Sequence, residues 1–510
     1  MAAARFALLP RGWRHWRWII LGVAAFLFWL ALCYRLYLWD EPPPRDADFA
    51  VTVARIPARQ NGLDQIGRLP VPPLDFSAFM RAHGVLDEIQ ITRREFAAAR
   101  DDALVNAFLA QARPVLSELD AILALPHFET SGPITYQSAV PNLGVILNAA
   151  KTLDLAARHD LQVGDFPDTV RSIERLRLLA FRLTENHALL INYVLAYTIY
   201  HFSASDTLAV LNDPALPPRQ LVTLANASYA SPATTEPLQH SLAAEYRFLA
   251  SAFAAEKDGS LTFALYHTED LAQLDLLEFW RRFSLKPNTT LHLAADLFRT
   301  WSIALTLPYA SANFSALAAA VPTGFPAQPN PIVHFVYRFA PNYGGRYALH
   351  TLAPTLLDVT RDAYTEVAVD RLLRIGFALR HYFDDHGSLP STLVDLVPDY
   401  LPAVPTDPFN GARMNFLPSR GLVYSVGTDL NDHTANRPVD KPLPDLSPTP
   451  APPLESQNSK FDPAPPPAIA HSARDQLTDS AQPTLALTFQ NVPPAPARNS
   501  AAPAFIPGHS

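Results

Sequence analysis

The longest uninterrupted apolar run in the chain is WIILGVAAFLFWLALCY at 18–34, and residues 36–39 prolong it past Arg35. A hydrocarbon core of about 30 Å needs roughly 20 such residues in a helix, so 18–39, bounded by Trp18 and Trp39, is expected to cross a lipid bilayer. Arg5, Arg11, Arg14 and Arg17 precede the run, and Asp40 and Glu41 follow it. The positive-inside rule then predicts a cytoplasmic N-terminus (1–17) and places the bulk of the chain outside. Trp13, Trp16 and Trp18 on one side, with Tyr34, Tyr37 and Trp39 on the other, fit aromatic belts at the two interfaces. No small-x-small site follows the apolar core, which favours a retained signal-anchor over a cleaved leader. Leu30-Ala31-Leu32-Cys33 only approximates a lipoprotein box, since leucine stands where a small residue is expected.

From 40 to 74 the EPPP run and scattered glycine and proline predict a linker leaving the membrane. Helical periodicity starts near 75. In 96–125, Phe96, Leu104, Phe108, Val115, Leu119 and Ile122 recur at helical spacing, with a break predicted at Pro114. Residues 142–185 read as two amphipathic helices around Gly164-Asp165-Phe166. Gly164 is suited to positive φ, Pro167 to the first turn of the second helix, and Ala156 and Ala157 to close approach. This is either a tetratricopeptide-type hairpin or an ordinary αα-hairpin. Further helices are expected at 187–202, 218–227, 237–256, 270–283 and 290–305, the last with Asn288 as its N-cap. Residues 308–341 should mix loop with short helix. A final helix is expected at 348–385, with Val369, Leu372, Leu379 and Phe383 forming one stripe. Arg371, Arg374, His381 and Asp384 lie opposite that stripe.

After Gly387, a left-handed cap, Thr392 and Asp395 give a capping-box start to a short helix. Asp407-Pro408 and Asn410-Gly411 are turn dipeptides, and 414–417 and 422–426 read as a small hairpin. Proline, alanine and serine dominate after 437. That composition buries too little apolar surface to offset its ordering entropy, so 437–510 is expected to be disordered. Its one apolar island, 484–492 (TLALTFQNV), is either a docking segment or plain tail. The expected class is therefore mainly α. It comprises a transmembrane helix, a linker, a helical extracytoplasmic body at 75–358, a small C-terminal α+β module with a β-hairpin at 359–436, and a Pro-rich tail.

Composition narrows the chemistry. The net charge is −8, with no basic stripe beyond the N-terminus, which argues against nucleic acid as a partner. With 18 Gly against 49 Pro, phosphate-cradling loops are disfavoured. A single cysteine, Cys33, excludes intramolecular disulfides and thiolate zinc sites. HExxH, GxSxG and GxxxxGK[ST] motifs do not occur. His381 and His386, beside Asp384 and Asp385, are the nearest approach to a metal cluster and read as a solvated helix end. Tyr343-Gly344-Gly345-Arg346-Tyr347 is a ligand-touching turn or a loop between helices. The carboxylate pairs Asp101-Asp102 and Asp384-Asp385 are adjacent, so they point apart on a helix.

Tyr382, Gly387, Pro390, Leu393, Leu396, Asp407, Pro408, Phe409, Gly411, Tyr424, Ser425, Gly427 and Asp429 stand in a fixed order and spacing. In this, 381–432 resembles the C-terminal part of type II secretion major pseudopilins. With its anchor and helical stretch, the chain also resembles large membrane-anchored proteins, mostly uncharacterised, of planctomycetes and verrucomicrobia. The resemblance implies a single-pass protein of the inner membrane with a periplasmic body. It lacks the pseudopilin leader site, so processing and polymerisation are not expected. It also implies calcium in the loop SVGTDLNDHTAN, where Asp429, Asn431 and Asp432 are hard oxygen donors. That loop lacks the family's glycines, however, and His433 interrupts it, so a solvated polar turn is the other reading. With no catalytic motif and no other cofactor implied, the functional expectation is an interaction scaffold with protein partners in the envelope, linked to a secretion or pilus-like apparatus. The alternatives are an envelope enzyme with an unrecognised site in the helical body, or a calcium-stabilised module.

Overall fold

The computed structural model describes residues 11–51, 55–70, 72–76, 78–79, 102–138, 142–185, 188–230, 234–257, 285–319, 340–430 and 486–488. The helix expected at 270–283, the residues Asn431 and Asp432, and the tail other than 486–488 lie outside them.

Helix α1 (Arg11–Cys33) continues into a π-helical turn, Tyr34–Leu38. Residues Trp16–Leu38 form a 23-residue helical stretch of mean hydropathy 2.1, none of it buried against the rest of the chain. It is long and apolar enough to cross a bilayer.

The described residues of the segment expected to be a linker are inlaid into the body. Asp40 lies at the N-terminus of the helix Pro287–Ala304 and accepts from Asn288 N (2.9 Å), Thr289 N (3.0 Å) and Thr289 Oγ1 (2.9 Å). Asn288 is thus a capped residue and not the cap; its own side chain donates to Glu41 O at 2.7 Å. Asp46 accepts from Arg247 Nη1 at 3.0 Å, and Arg247 Nε donates to Phe49 O at 2.8 Å. Asp48 takes a two-point contact from Arg299, at 2.6 and 2.9 Å. Phe49, 6% exposed, stacks on Tyr246 with centroids 4.3 Å apart. Burying such a side chain contributes about 2 kcal/mol.

Further along, buried Asn61 caps the one-turn helix α2 (Gly62–Ile66). It also receives Glu129 N at 3.1 Å and donates to Glu129 O at 2.7 Å. Gly62 is required there, because a Cβ would lie 2.2 Å from the Phe128 ring.

The body follows as α3 (Asp102–Leu123), α4 (Leu143–Gln162), α5 (Phe166–Thr184), α6 (Leu190–Leu211), α7 (Pro218–Ala230), α8 (Glu236–Lys257) and α9 (Pro287–Ala304). Two short helices, α10 (Tyr309–Ala312) and α11 (Phe314–Ala319), lead to the 44-residue α12 (Tyr343–His386). Pro114 lies inside α3 and Pro354 inside α12. Each removes one backbone donor without ending its helix, so the break expected at Pro114 is absent.

Helices α4 and α5 form the αα-hairpin read from sequence. Gly164 adopts φ +80°, Asp165 caps α5 through Asp168 N at 3.2 Å, and a proline stands in its first turn. Tyr343-Gly344-Gly345-Arg346-Tyr347 is neither loop nor free turn but the start of α12. Gly345 allows its close approach to α9, since a Cβ there would lie 1.9 Å from Thr290 Oγ1.

α12 ends at Gly387 (φ +66°), and the Thr392/Asp395 capping box is present. Strands β1 (Asn415–Leu417) and β2 (Leu422–Tyr424) pair antiparallel, with Phe416 opposite Val423. A third strand, β3 (Ala486–Thr488), pairs antiparallel on the other edge of β2, with Leu487 opposite Val423. It lies within the apolar island of the segment expected to be a disordered tail.

Among the described residues, one large hydrophobic core runs from Phe49 through all the long helices after α1 to Val426, with two small satellites at Ile134, Leu189 and Ala244 and at Leu422 and Tyr424. The 358/359 boundary expected between body and module falls in the middle of α12. The module is tied to the body through Tyr309 N to Pro408 O (3.1 Å) and Ala310 N to Phe409 O (2.8 Å).

Replacing Asp40 by alanine removes a helix cap, so a loss of about 1–2 kcal/mol of stability is expected. Trypsin should also gain access to the Arg45–Asp46 bond. Thermal melting of the detergent-solubilised protein and mapping of the first tryptic cleavage check this; an unchanged cleavage pattern would contradict it.

Candidate functional site

Helix α12 carries acidic residues at every fourth position: Asp358, Asp362, Glu366 and Asp370. Four-residue spacing advances little around a helix, so they form a slowly turning row. The row runs from solvent to interior. Asp358 is exposed, Asp362 and Glu366 are partly buried, and Asp370 is 2% exposed. Facing it are the tyrosines of α6. Tyr193 donates to Glu366 Oε2 at 3.3 Å, Tyr197 hydrogen-bonds Asp362, and Tyr200 OH is 3.5 Å from Asp370 Oδ1.

At the inner end Asp370 is held by two cations. Arg177 Nη2, from α5, lies 3.1 Å from Oδ1, and Arg374 Nε, one turn along α12, lies 2.7 Å from Oδ2. Arg177 is itself buried, and its Nη1 has no hydrogen-bond partner among the described residues. Alongside, Arg158 of α4 bridges Asp154 and the buried Asp206 of α6, each at 3.2 Å. Charged and polar groups therefore tie α4, α5, α6 and α12 into one seam.

Burial pushes the carboxyl pKa of Asp362 up to about 6, with the nearby Asp358 adding to the rise and the Tyr197 bond opposing it. Burial likewise pushes Glu366 up to about 7, against the bond from Tyr193. Burial also raises the phenols of Tyr193, Tyr197 and Tyr200 well above their usual range, so they remain donors at neutral pH. The Asp362–Glu366 pair is thus able to hold or release a proton near neutrality, which is the property required of a general acid or base.

Sequence reading missed this site. It placed Arg371, Arg374, His381 and Asp384 opposite a single apolar stripe and passed over the acidic row. The signal was the repeat of Asp or Glu at 358, 362, 366 and 370.

The groups that were singled out are placed as follows. His386 stacks on Tyr382 at 4.1 Å with Nδ1 3.0 Å from Tyr382 O, while His381 packs edge-on to Tyr400. Asp385 accepts from Tyr400 OH at 2.7 Å, and Asp384 pairs with Arg380 at 3.1 Å. Of the calcium residues, Asp429 is partly buried just before Leu430, which has φ +60°; Asn431 and Asp432 lie outside the described residues. Among the described residues, no group of three or more His, Cys, Asp or Glu is arranged to hold a metal ion.

Phe409, Gly411 and Ser425 gather around Asp407, which is fully buried. Its Oδ1 accepts from Phe409 N (2.9 Å) and Ser425 Oγ (2.9 Å), and its Oδ2 from Val426 N (2.8 Å). Gly411, at φ +76°, closes the turn onto Asp407 O at 2.8 Å. This carboxylate staples the DPFNG turn to the SVG stretch. Comparison with known protein families, curated proteins and solved structures finds no match to this chain.

Replacing Asp370 by alanine leaves Arg177 buried without its counter-charge, and a loss of about 3–5 kcal/mol is expected in chemical denaturation. A second expectation concerns pH. A carboxyl group whose folded pKa is raised costs nothing below its unfolded pKa. The cost appears as pH climbs through the folded value. The contribution of Asp362 and Glu366 therefore declines between about pH 4 and 7. Glu366→Gln removes part of that cost, and Gln still accepts from Tyr193. It should stabilise the protein by about 2 kcal/mol at pH 8 and hardly at all at pH 4, after allowance for partial exposure. Equal melting shifts at both pH values would contradict the assignment.

Proposed function

We propose that this chain is a single-pass protein of a bacterial inner membrane, with its N-terminus in the cytoplasm and its helical body in the periplasm. The body acts as a non-catalytic interaction scaffold for envelope proteins, in connection with a secretion or pilus-like apparatus. The observation that carries this reading is the strap formed by the described residues between 40 and 74. Asp40, Asp46, Asp48 and Asn61 bind the chain that leaves the anchor directly onto the body. A flexible tether would let the body sample many orientations. A strap holds one face at a fixed height above the membrane, which suits presentation to partners. The distribution of Arg5, Arg11, Arg14 and Arg17 against Asp40 and Glu41 supports the orientation. The likeness of 381–432 to pseudopilins supports the choice of apparatus.

A second reading has its own support. The Asp362–Glu366 pair, partly open and titrating near neutrality, suits an enzyme acting on envelope glycan, lipid or peptide.

Crosslinking of the tagged full-length protein in intact cells, followed by mass spectrometry, separates the two. Reproducible recovery of secretion or pilus components is expected. Recovery of the chain alone would sink the scaffold reading. If a cellular phenotype were then lost in D362N/E366Q while the variant still unfolded cooperatively and was no less stable than the parent chain, the enzyme would take its place.

A further inference from the structure

Three segments distant in sequence meet where the chain leaves α1. The first is the π-helical turn and its exit, in which Arg35 lies over the Trp39 ring at 3.5 Å. The second is the start of α9, held by Asp40 and positioned so that Lys286 Nζ lies 3.4 Å from Arg35 O. The third is the start of α12, pinned to α9 by Asn342. That residue adopts φ +58°, and its side-chain oxygen accepts from Lys286 N at 3.0 Å and Thr290 Oγ1 at 3.1 Å. Gly345 lets the two helices meet this closely. Each segment contributes one cation: Arg35, Lys286 and Arg346. Among the described residues none of the three forms an ion pair. Tyr343 and Tyr347, in the same first turns of α12 as Arg346, stack with ring centroids 6.0 Å apart.

Their mutual repulsion is visible in Lys286. Burial lowers its pKa, and Arg35 and Arg346 lower it further, while Asp40 and Glu41 act in the opposite direction. Asp40 spends its carboxylate on the α9 backbone and Thr289. An anion placed among the three cations would relieve the repulsion.

We infer that Arg35, Lys286 and Arg346 bind the headgroup of an anionic phospholipid in the leaflet from which α1 emerges, so that the body rests on the membrane through the first turns of α9 and α12. Position selects this occupant. Arg35 belongs to the helical stretch that crosses the bilayer, so whatever lies beside it is at headgroup depth. Lys286 and Arg346 are held to the same place by hydrogen bonds rather than by a free chain. Arginine and lysine beside tyrosine and tryptophan are the residues that settle at this depth. The inference rests on the reading that α1 spans the membrane.

The test uses the full-length protein in vesicles of phosphatidylcholine, with or without phosphatidylglycerol, followed by flotation and by hydrogen exchange of the first-turn amides of α9 and α12. Phosphatidylglycerol is expected to slow exchange at both helix starts. A cation at an anionic surface contributes roughly fivefold to binding, so R346Q should reduce this protection by about that factor and K286Q/R346Q should abolish it. R346Q disturbs none of the described hydrogen bonds, and melting by circular dichroism shows that each variant is folded. Protein that floats but exchanges identically in both lipids overturns the headgroup site and leaves the anchor intact. Protein that does not float overturns the anchor, and the site with it. Equal protection by inorganic phosphate added to phosphatidylcholine vesicles assigns the cations to a soluble anion and overturns the lipid assignment.

Discussion

A carboxylate as buried as Asp370 cannot stay charged without partners, and the way it is partnered orders the body around it. Arg177 reaches it from α5, Tyr200 from α6 and Arg374 from its own helix. The first two contacts fix how the α4–α5 hairpin and α6 lie against α12. Apolar packing alone would tolerate several rotations of such long helices. A buried ion pair with a tyrosine beside it accepts one. The same seam then grades outward through Glu366 and Asp362 to solvent, where proton affinity is tuned by depth rather than by any special residue.

The second constraint is imposed at the other end of the chain. Arg247 and Arg299, on neighbouring helices α8 and α9, take up Asp46 and Asp48, and Asp40 closes the N-terminus of α9. These acids would otherwise be ordinary surface charges, worth little as isolated pairs. Here they act jointly with Phe49, whose ring enters the core between Tyr246 and Arg299. The end of α1, the strap and the body are thereby joined without a free tether between them.

Much of the architecture was legible in the sequence. The apolar run 18–34, the turn at Gly164-Asp165-Phe166, the left-handed Gly387, the Thr392/Asp395 box and the β1–β2 hairpin all follow from local rules about burial, φ and capping. What was not legible depends on distant partners. Pro42, Pro43 and Pro44 made 40–74 read as a linker, because nothing local shows that Asp40 and Asp48 meet α9 some 250 residues later. Asn288 has the chemistry of a cap and loses that role to a carboxylate from the strap. The acidic row on α12 was present as a four-residue repeat. It was hidden because a helix covered on several sides has no single polar face to betray it. β3 is short and its partner strand lies far back in the chain, so composition alone made it tail.

The strap also sets an order of events during synthesis. Asp40 and its partner Thr289 are 249 residues apart, so the residues that follow α1 are synthesised long before the helix they cap exists. Closing such a loop in an unstructured chain would cost about 5 kcal/mol in entropy alone. Once α3 to α8 have condensed, the ends are already close and that cost is largely met. The strap is therefore a late closure, made from early sequence. Until α9 is complete, residues 40–49 have no helix start to close onto and remain an open stretch of prolines and acids. Completion of α9 is the moment at which the strap can close.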